Sequence, residues 1–284
     1  MRGLFIGTTT IDLIYPLKHF PEEDSKTNVS HQLLTLGGPA TNAAITFATL
    51  GGEATLISPV GEHLWAAQIK EQLASYHVIH FDLTKDPGFI PSISSILVNI
   101  SSGLRTVITS PTSLAHEEIC LPNIKLADYD VCCLDGFHGD TVIEILENKP
   151  PSLPVVFDGG SYKYKTDELL KLVDFPIFSE RFISAHGMSI LEYMQKLNIK
   201  TFAITKGANP IEVHEEGKRY ELPIGRVKAI DTLAAGDIFH GAFAYNILMA
   251  KGDFKAALKQ SAEIASLSCQ FFGPRAWEKA FKKT

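Results

Sequence analysis

Residues 231–237, Asp231-Thr232-Leu233-Ala234-Ala235-Gly236-Asp237, run directly into an apolar-periodic segment, IFHGAFAYNILMAKG (238–252). Two acids bracket a run of small side chains at the start of a predicted helix. A helix N-terminus presents unpaired N–H groups and roughly half a positive charge, a setting that binds anions. Bulk on the first turn would block that approach, so Ala234, Ala235 and Gly236 leave the backbone open, with Asp237 as an acid beside an anion site. Taken alone, the stretch equally fits an acid that only complements the helix dipole above alanines that only pack.

A second stretch of small residues lies at 36–44, LGGPATNAA. Gly37-Gly38 permits a tight turn between strand and helix. Asn42 then projects from the first turn with donor and acceptor on one short side chain, which suits a pair of sugar hydroxyls; an ordinary helix start is the plainer alternative. The predicted helix, about Pro39 to Leu50, carries Ala40, Ala43, Ala44, Phe47 and Ala48 at helical spacing, a narrow face for close packing on a sheet. Neither G-x-x-x-x-G-K-[ST] nor G-x-G-x-x-G after the first strand is present, which disfavours a P-loop and a dinucleotide fold.

Around these stretches, short apolar runs alternate with helical segments. LFIGTTT (4–10) and ATLISPVG (54–61) read as strands, as do the runs in DYDVCCLDG, PVVFDGG, FPIFSE and KTFAITKG. This rhythm predicts a mostly parallel sheet covered by helices on both faces. Ligands of such sheets gather at the strands' carboxyl ends, here Thr8 to Asp12, Asp135-Gly136, Asp158-Gly159, Ser179-Glu180 and Thr205-Lys206-Gly207. His138 and His240 lie near these ends and read as packed or capping residues rather than ligands. Segments 11–36 and 93–109, the second with a turn at Ser101-Ser102-Gly103, break the rhythm with strand-like alternation and predict a small β lid that excludes water. The tail predicts one helix, FKAALKQSAEIASLSCQFF, followed by a Gly273-Pro274-Arg275 break in which Arg275 reads as a solvated surface residue. One domain spanning 1–284 with a lid is the economical division.

Composition favours a small or neutral partner. The chain has 284 residues, 45% hydrophobic, with a formal net charge of −6, so it can bury a large core and has no basic footprint for nucleic acid. No apolar run reaches the roughly 18 residues of a membrane span, and no leader pattern opens the chain, which predicts a soluble cytoplasmic protein. Cys120, Cys132, Cys133 and Cys269 form no CxxC pair and read as thiols of a reducing compartment.

Together these stretches resemble the ribokinase-like carbohydrate kinases, the PfkB family, almost end to end. GGPATNAAITFATLGGEATLISPVG is similar to the first family motif and DTLAAGDIF to the second, D-T-x-[GA]-A-G-D-x-F, with IDLIY after the first strand and ITKG before the second motif. The resemblance implies a three-layer α/β/α domain with a β lid, and transfer of the γ-phosphoryl of ATP, with Mg²⁺, to a hydroxyl of a monosaccharide such as a ketose or ribose. It implies Asp237 as general base, Ala234, Ala235, Gly236 and the Asp237 backbone as an anion hole, and Asp12, Gly38 and Asn42 as acceptor-binding residues. By the same resemblance Thr205, Lys206 and Gly207 belong to the ATP loop, and Asp231 to a monovalent-cation site, K⁺ for example.

One family feature is missing. The N-x-x-E motif is replaced by Ser179, Glu180, Arg181 and Phe182, so Glu180 or Asp158 is expected to support Mg²⁺ through water. A nucleoside kinase of the same fold is the in-class alternative, and a non-catalytic sugar- or nucleotide-binding derivative is the alternative from another class. Lys18, Lys26 and Arg105 are the only lid cations, which favours a neutral acceptor. Ile93, Ile96, Val98 and Ile100 suggest a homodimer joined through the lid.

Overall fold

The first strand, β1 (Arg2–Ile6), is shorter than its apolar run suggests. In the computed structural model, which describes residues 1–110, 119–184 and 187–282, the Thr8 N–H and hydroxyl turn away to Asp135 Oδ2, at 2.8 and 2.9 Å. The chain leaves the sheet there, and Thr10 opens β2 (Thr10–Leu17) of a second sheet. The strand expected at 54–61 likewise ends early, as β4 (Glu53–Ser58), because Asp82 Oδ1 accepts from the Val60 N–H at 2.8 Å.

The main sheet has nine strands. Seven are parallel: β11 (Phe202–Lys206), β10 (Phe175–Ser179), β9 (Val155–Gly159), β8 (Val131–Leu134), β1, β4 and β5 (Val78–Asp82), in that order. A hairpin, β12 (Asn209–Glu215) and β13 (Lys218–Leu222), extends the β11 edge in antiparallel sense. Neither β5 nor this hairpin stands out in sequence: β5 has only Val78 buried, and β13 begins with two exposed residues.

Alternation along the strands sends side chains to two cores. Phe5, Leu56, Cys133, Val156 and Ile177 meet α1 (Pro39–Thr49), α2 (Ala66–Ser75), α6 (Ala235–Met249) and α7 (Phe254–Ser268). Leu4, Ile6, Cys132, Leu134 and Phe157 meet α3 (Gly139–Leu146), α4 (Thr166–Leu169) and α5 (Ile190–Lys196) on the opposite face. Fully burying side chains such as Phe47 and Phe243 contributes about 1.5–3 kcal/mol each. Cys132 and Cys133 are buried strand thiols, free of disulfides, whose pKa values burial pushes up. The tail helix stops at Ser268 rather than at Phe272, and a turn leads to the short α8 (Glu278–Phe281). Among the described residues no helix is long and apolar enough to cross a membrane.

The second sheet has the order β3 (Leu33–Gly37), β2, β6 (Ile93–Asn99), β7 (Leu104–Thr109). Its strands come from the two segments that break the βα rhythm, but residues 18–32, rich in charge and including Pro21, form none. The four isoleucines and valines set apart in sequence divide: Ile96 and Val98 pack inward with Ile14, whereas Ile93 and Ile100 are exposed. They do not form one face, because Ile93 has the opposite parity to Ile96 and Val98 on β6 and Ile100 lies beyond the strand's end.

Candidate active site

Asp237 stands in the first turn of α6, and Asn42 in the first turn of α1. The two helices cross so that Asn42 Nδ2 donates to Asp237 Oδ2 at 2.6 Å. Asn42 Oδ1 in turn accepts from Arg275 Nη2 at 2.5 Å. A guanidinium can only donate, so this contact fixes which end of the amide faces Asp237. Arg275, read from sequence as a solvated surface residue, therefore points inward. The turn that carries it is pinned by Trp277, buried, whose indole N–H donates to Pro274 O at 3.0 Å. A lone arginine after Gly-Pro carries little signal; the buried tryptophan two residues on is the only hint.

On the second-sheet side of Asn42 lies Asp12, buried, with its Oδ1 accepting from the Thr10 hydroxyl at 2.8 Å. Burial raises its pKa, against opposing effects of Thr10, Arg275 and Ser94. Gly37 makes room for it: a Cβ there would fall 2.0 Å from Asp12 Oδ2. Gly38, the residue before α1, has φ +95°, a conformation that side chains rarely adopt. The GG pair thus serves both the acid and the turn.

Below α6, Asp158 and His240 complete the centre. Asp158 Oδ2 is 3.3 Å from His240 Nδ1, which also lies 2.8 Å from Gly236 O, while Nε2 lies 3.2 Å from Ile177 O. His240 is a packed residue under the helix start. Burial and the Asp158 charge together push the Asp237 carboxyl up to about 7, with Asn42, His240 and Arg105 acting against them. His138 precedes α3 in a left-handed conformation (φ 54°), and burial depresses its imidazole.

The proposed anion hole is narrower than the sequence suggests. Ala234 takes a left-handed conformation (φ 58°) and is buried, and the Ala235 N–H donates to Thr232 O at 3.3 Å. Gly236 and Asp237 remain, with first-turn N–H groups that no helical carbonyl can reach. Non-glycine residues held in this region cost of order 1 kcal/mol or more and cluster at functional sites.

Thr205 and Lys206 close β11, and Gly207 opens the turn that follows. The Lys206 ammonium is not free for a phosphate, since it pairs with Glu212 at 2.6 Å. Glu212 is buried, which would raise its pKa, but hydrogen bonds from Arg219, Lys206 and His214 outweigh this and hold it at about 2. What the loop offers is its backbone, with Gly207 at φ +60°. Glu180, exposed, adjoins it through its N–H to Thr205 O at 2.9 Å.

The family profile described as pfkB family carbohydrate kinase matches residues 3–280. The chain belongs to this family. It is 25% identical over 284 residues to a deoxyribokinase of Salmonella typhi, covering 93% of this chain and 90% of the relative. It is 26% identical to an ATP-dependent ribose-1-phosphate kinase of Halopiger xanaduensis, covering 97% and 94%. Among solved structures, the ribokinase of Giardia lamblia aligns at TM-score 0.78 and 18% identity over 100% and 99% of the two chains. A Burkholderia thailandensis nucleoside kinase in complex with inosine aligns at 0.72 and 16%, over 97% and 94%. These alignments bear out the ribokinase-like α/β fold.

In this PfkB-family chain the first acid of DTLAAGD holds the motif to the tail. Asp231 is buried; its Oδ1 accepts from the Leu233 N–H and its Oδ2 from the Gly273 N–H, both at 2.9 Å. Arg105 on β7 is likewise committed, its Nη1 donating to Thr232 O and Oγ1 at 2.9 and 3.0 Å. Asp135, noted in sequence only as a strand end, gathers N–H groups of Thr8, Ala40 and Phe137 and fixes the start of α1.

Proposed function

We propose that this PfkB-family kinase transfers the γ-phosphoryl of ATP to a hydroxyl of a monosaccharide, with Asp237 as the general base. The observation that carries this reading is the placement of the Asp237 carboxyl at an open helix N-terminus, 2.6 Å from Asn42, where burial and Asp158 push it up to about 7. Phosphoryl transfer needs mainly positioning and charge stabilisation. A base with a pKa near the working pH takes the acceptor proton while the Gly236 and Asp237 N–H groups stabilise the moving phosphoryl. Asp12, Gly38 and Asn42 hold the acceptor, and the backbone of 205–207 holds ATP. The Asp12–Asn42 cluster lies over β1 and the 205–207 loop ends β11, four strand spacings or roughly 19 Å apart, with Asp237 between them. The second sheet acts as the lid, latched to the motif through Arg105. Ile93, Leu104 and Ile108 are exposed on one face of it, and a second copy covering them is the dimer we propose. A nucleoside acceptor is the second reading, favoured by the likeness to the nucleoside kinase in complex with inosine.

Mg²⁺ fits the donor set without a cage. Among the described residues no three acids, histidines or cysteines gather to hold a metal, yet Mg²⁺ commonly needs only one or two carboxylates beside phosphates and water. Asp158 and Asp237 repel each other, and a divalent cation would relieve that. Asp158, with Glu180, would hold it through water, and it would neutralise phosphate charge. Glu180→Gln and Asp158→Asn are each expected to raise the Mg²⁺ concentration needed for half-maximal turnover; unchanged Mg²⁺ titrations in both would refute this. The cation role of Asp231 would appear as activation by K⁺ over Na⁺.

The pH profile tests the base. kcat/KM should rise from acid pH to a plateau with a midpoint near 7, because the ionised carboxylate is the active form. Asp158→Asn removes a repelling charge and should move that midpoint downward. A profile flat between pH 5 and 8 would exclude Asp237 as the base.

A further inference from the structure

Arg275 is a half-buried cation without a full counter-charge. Its Nη2 donates to Asn42 Oδ1 and, at 3.4 Å, to Leu36 O; its Nη1 reaches only Pro274 O, at 3.3 Å. Among the described residues its buried Nε has no hydrogen-bond partner. Among the described residues no carboxylate forms an ion pair with it. Besides the Tyr76 ring, whose centroid lies 5.8 Å from its Cζ, the groups that act on it electrostatically are the acids Glu278, Asp237 and Asp12. Burial pushes all three toward their neutral forms. A cation without a counter-charge and a buried N–H without a partner are both costly, and in a native structure each calls for an explanation such as a bound ion.

The position says which ligand. The guanidinium lies on the Leu36–Asn42–Asp12 flank of the site, away from the strand end that carries residues 205–207, so an anion meeting it does not belong to ATP. Only the Asn42 amide separates it from Asp237. A small acceptor with its reacting hydroxyl at Asp237 brings its own substituents to Arg275. We infer that Arg275 binds an oxyanion, a carboxylate or a phosphate, on the acceptor itself, so that the enzyme selects sugar acids or sugar phosphates over their neutral parents. This rests on the kinase reading above. It replaces the neutral acceptor expected from the lid: the cation comes from the C-terminal Gly-Pro-Arg turn instead. The planar fork suits a bidentate oxyanion, which an ammonium matches less well.

The test measures kcat/KM with ATP and Mg²⁺ for ribose, fructose, gluconate, ribose 5-phosphate and fructose 6-phosphate, and calorimetric binding of the same five compounds without ATP. The wild type, Arg275→Gln and Arg275→Lys are compared, with thermal melts to confirm folding. An anionic compound should be favoured over the neutral sugars by about 10- to 100-fold, as a charge-assisted bidentate contact provides. Arg275→Gln should lower its binding and kcat/KM by about 30-fold or more, and affect neutral sugars through Asn42 by at least about tenfold less; Arg275→Lys should recover part. The better of the acid and phosphate arms identifies the oxyanion. Preference for a neutral sugar, equal losses on both classes in Arg275→Gln, or no binding of any anionic compound would overturn the inference. Tight anion binding without transfer to any acceptor would overturn the kinase reading alone.

Discussion

Asp237→Asn is expected to lower phosphoryl transfer by about 10²- to 10⁴-fold, the usual contribution of a general base, with ATP binding nearly intact. The substitution keeps the shape of the side chain, and an amide oxygen can still accept from Asn42, so the loss isolates the proton-accepting role. The same variant should be more stable than the wild type at pH 8. The carboxyl titrates at about 7 in the folded protein against an ordinary 3.8. Below 3.8 it is neutral in both states and costs nothing. As pH rises from there through 7 the unfolded chain releases its proton first, and folding is progressively penalised. A shift of about three units corresponds to about 4 kcal/mol. Asp237 is partly open to solvent, so about 2 kcal/mol is the realistic share. Melting curves of wild type and variant should therefore converge toward pH 4, separate as the pH rises to 7 and stay apart above it. An active Asp237→Asn enzyme, or one less stable than the wild type at pH 8, would end this account of the motif.

The parts of the site visible in sequence are those that local backbone chemistry demands. DTLAAGD and GGPATN announce themselves because an open helix start and a tight turn admit few side chains, and the structure brings Asp237, Asn42, Asp12 and Gly38 together. Roles that depend on partners far along the chain were invisible. Lys206 looks like a phosphate ligand until Glu212, on the next strand, claims it. Arg275 looks like a surface residue until the Asp231–Gly273 bond folds the tail back onto α1. The same holds for the fold: apolar strands such as β8 and β9 were legible, whereas β5 and the β12–β13 hairpin, exposed at the sheet's edges, lack the apolar run that marks a buried strand.

Gly241→Val should damage both stability and turnover, because Gly241 sets the distance at which Asn42 and Asp237 meet. It lies one helical turn beyond Asp237 on α6 and faces Ala43, the neighbour of Asn42 on α1. A Cβ at 241 would fall 2.3 Å from Ala43 O and 2.7 Å from Ala43 Cα. These are backbone atoms and cannot swing aside, so the helices must separate. Overpacking of this kind costs typically 1–3 kcal/mol and more when backbone is displaced; in a chain of this size about 3 kcal/mol lowers Tm by about 6–12 °C. Separation would also stretch the 2.6 Å contact between Asn42 and Asp237, and small misplacements at a reacting centre can cost about 100-fold in rate. Gly241→Ala decides the sign with a smaller change. In an open helix alanine stabilises by about 1 kcal/mol over glycine, so a gain in Tm would mean that the space exists. A loss, together with a fall in kcat, would mean that the bare backbone at 241 is what lets the two motifs form one site.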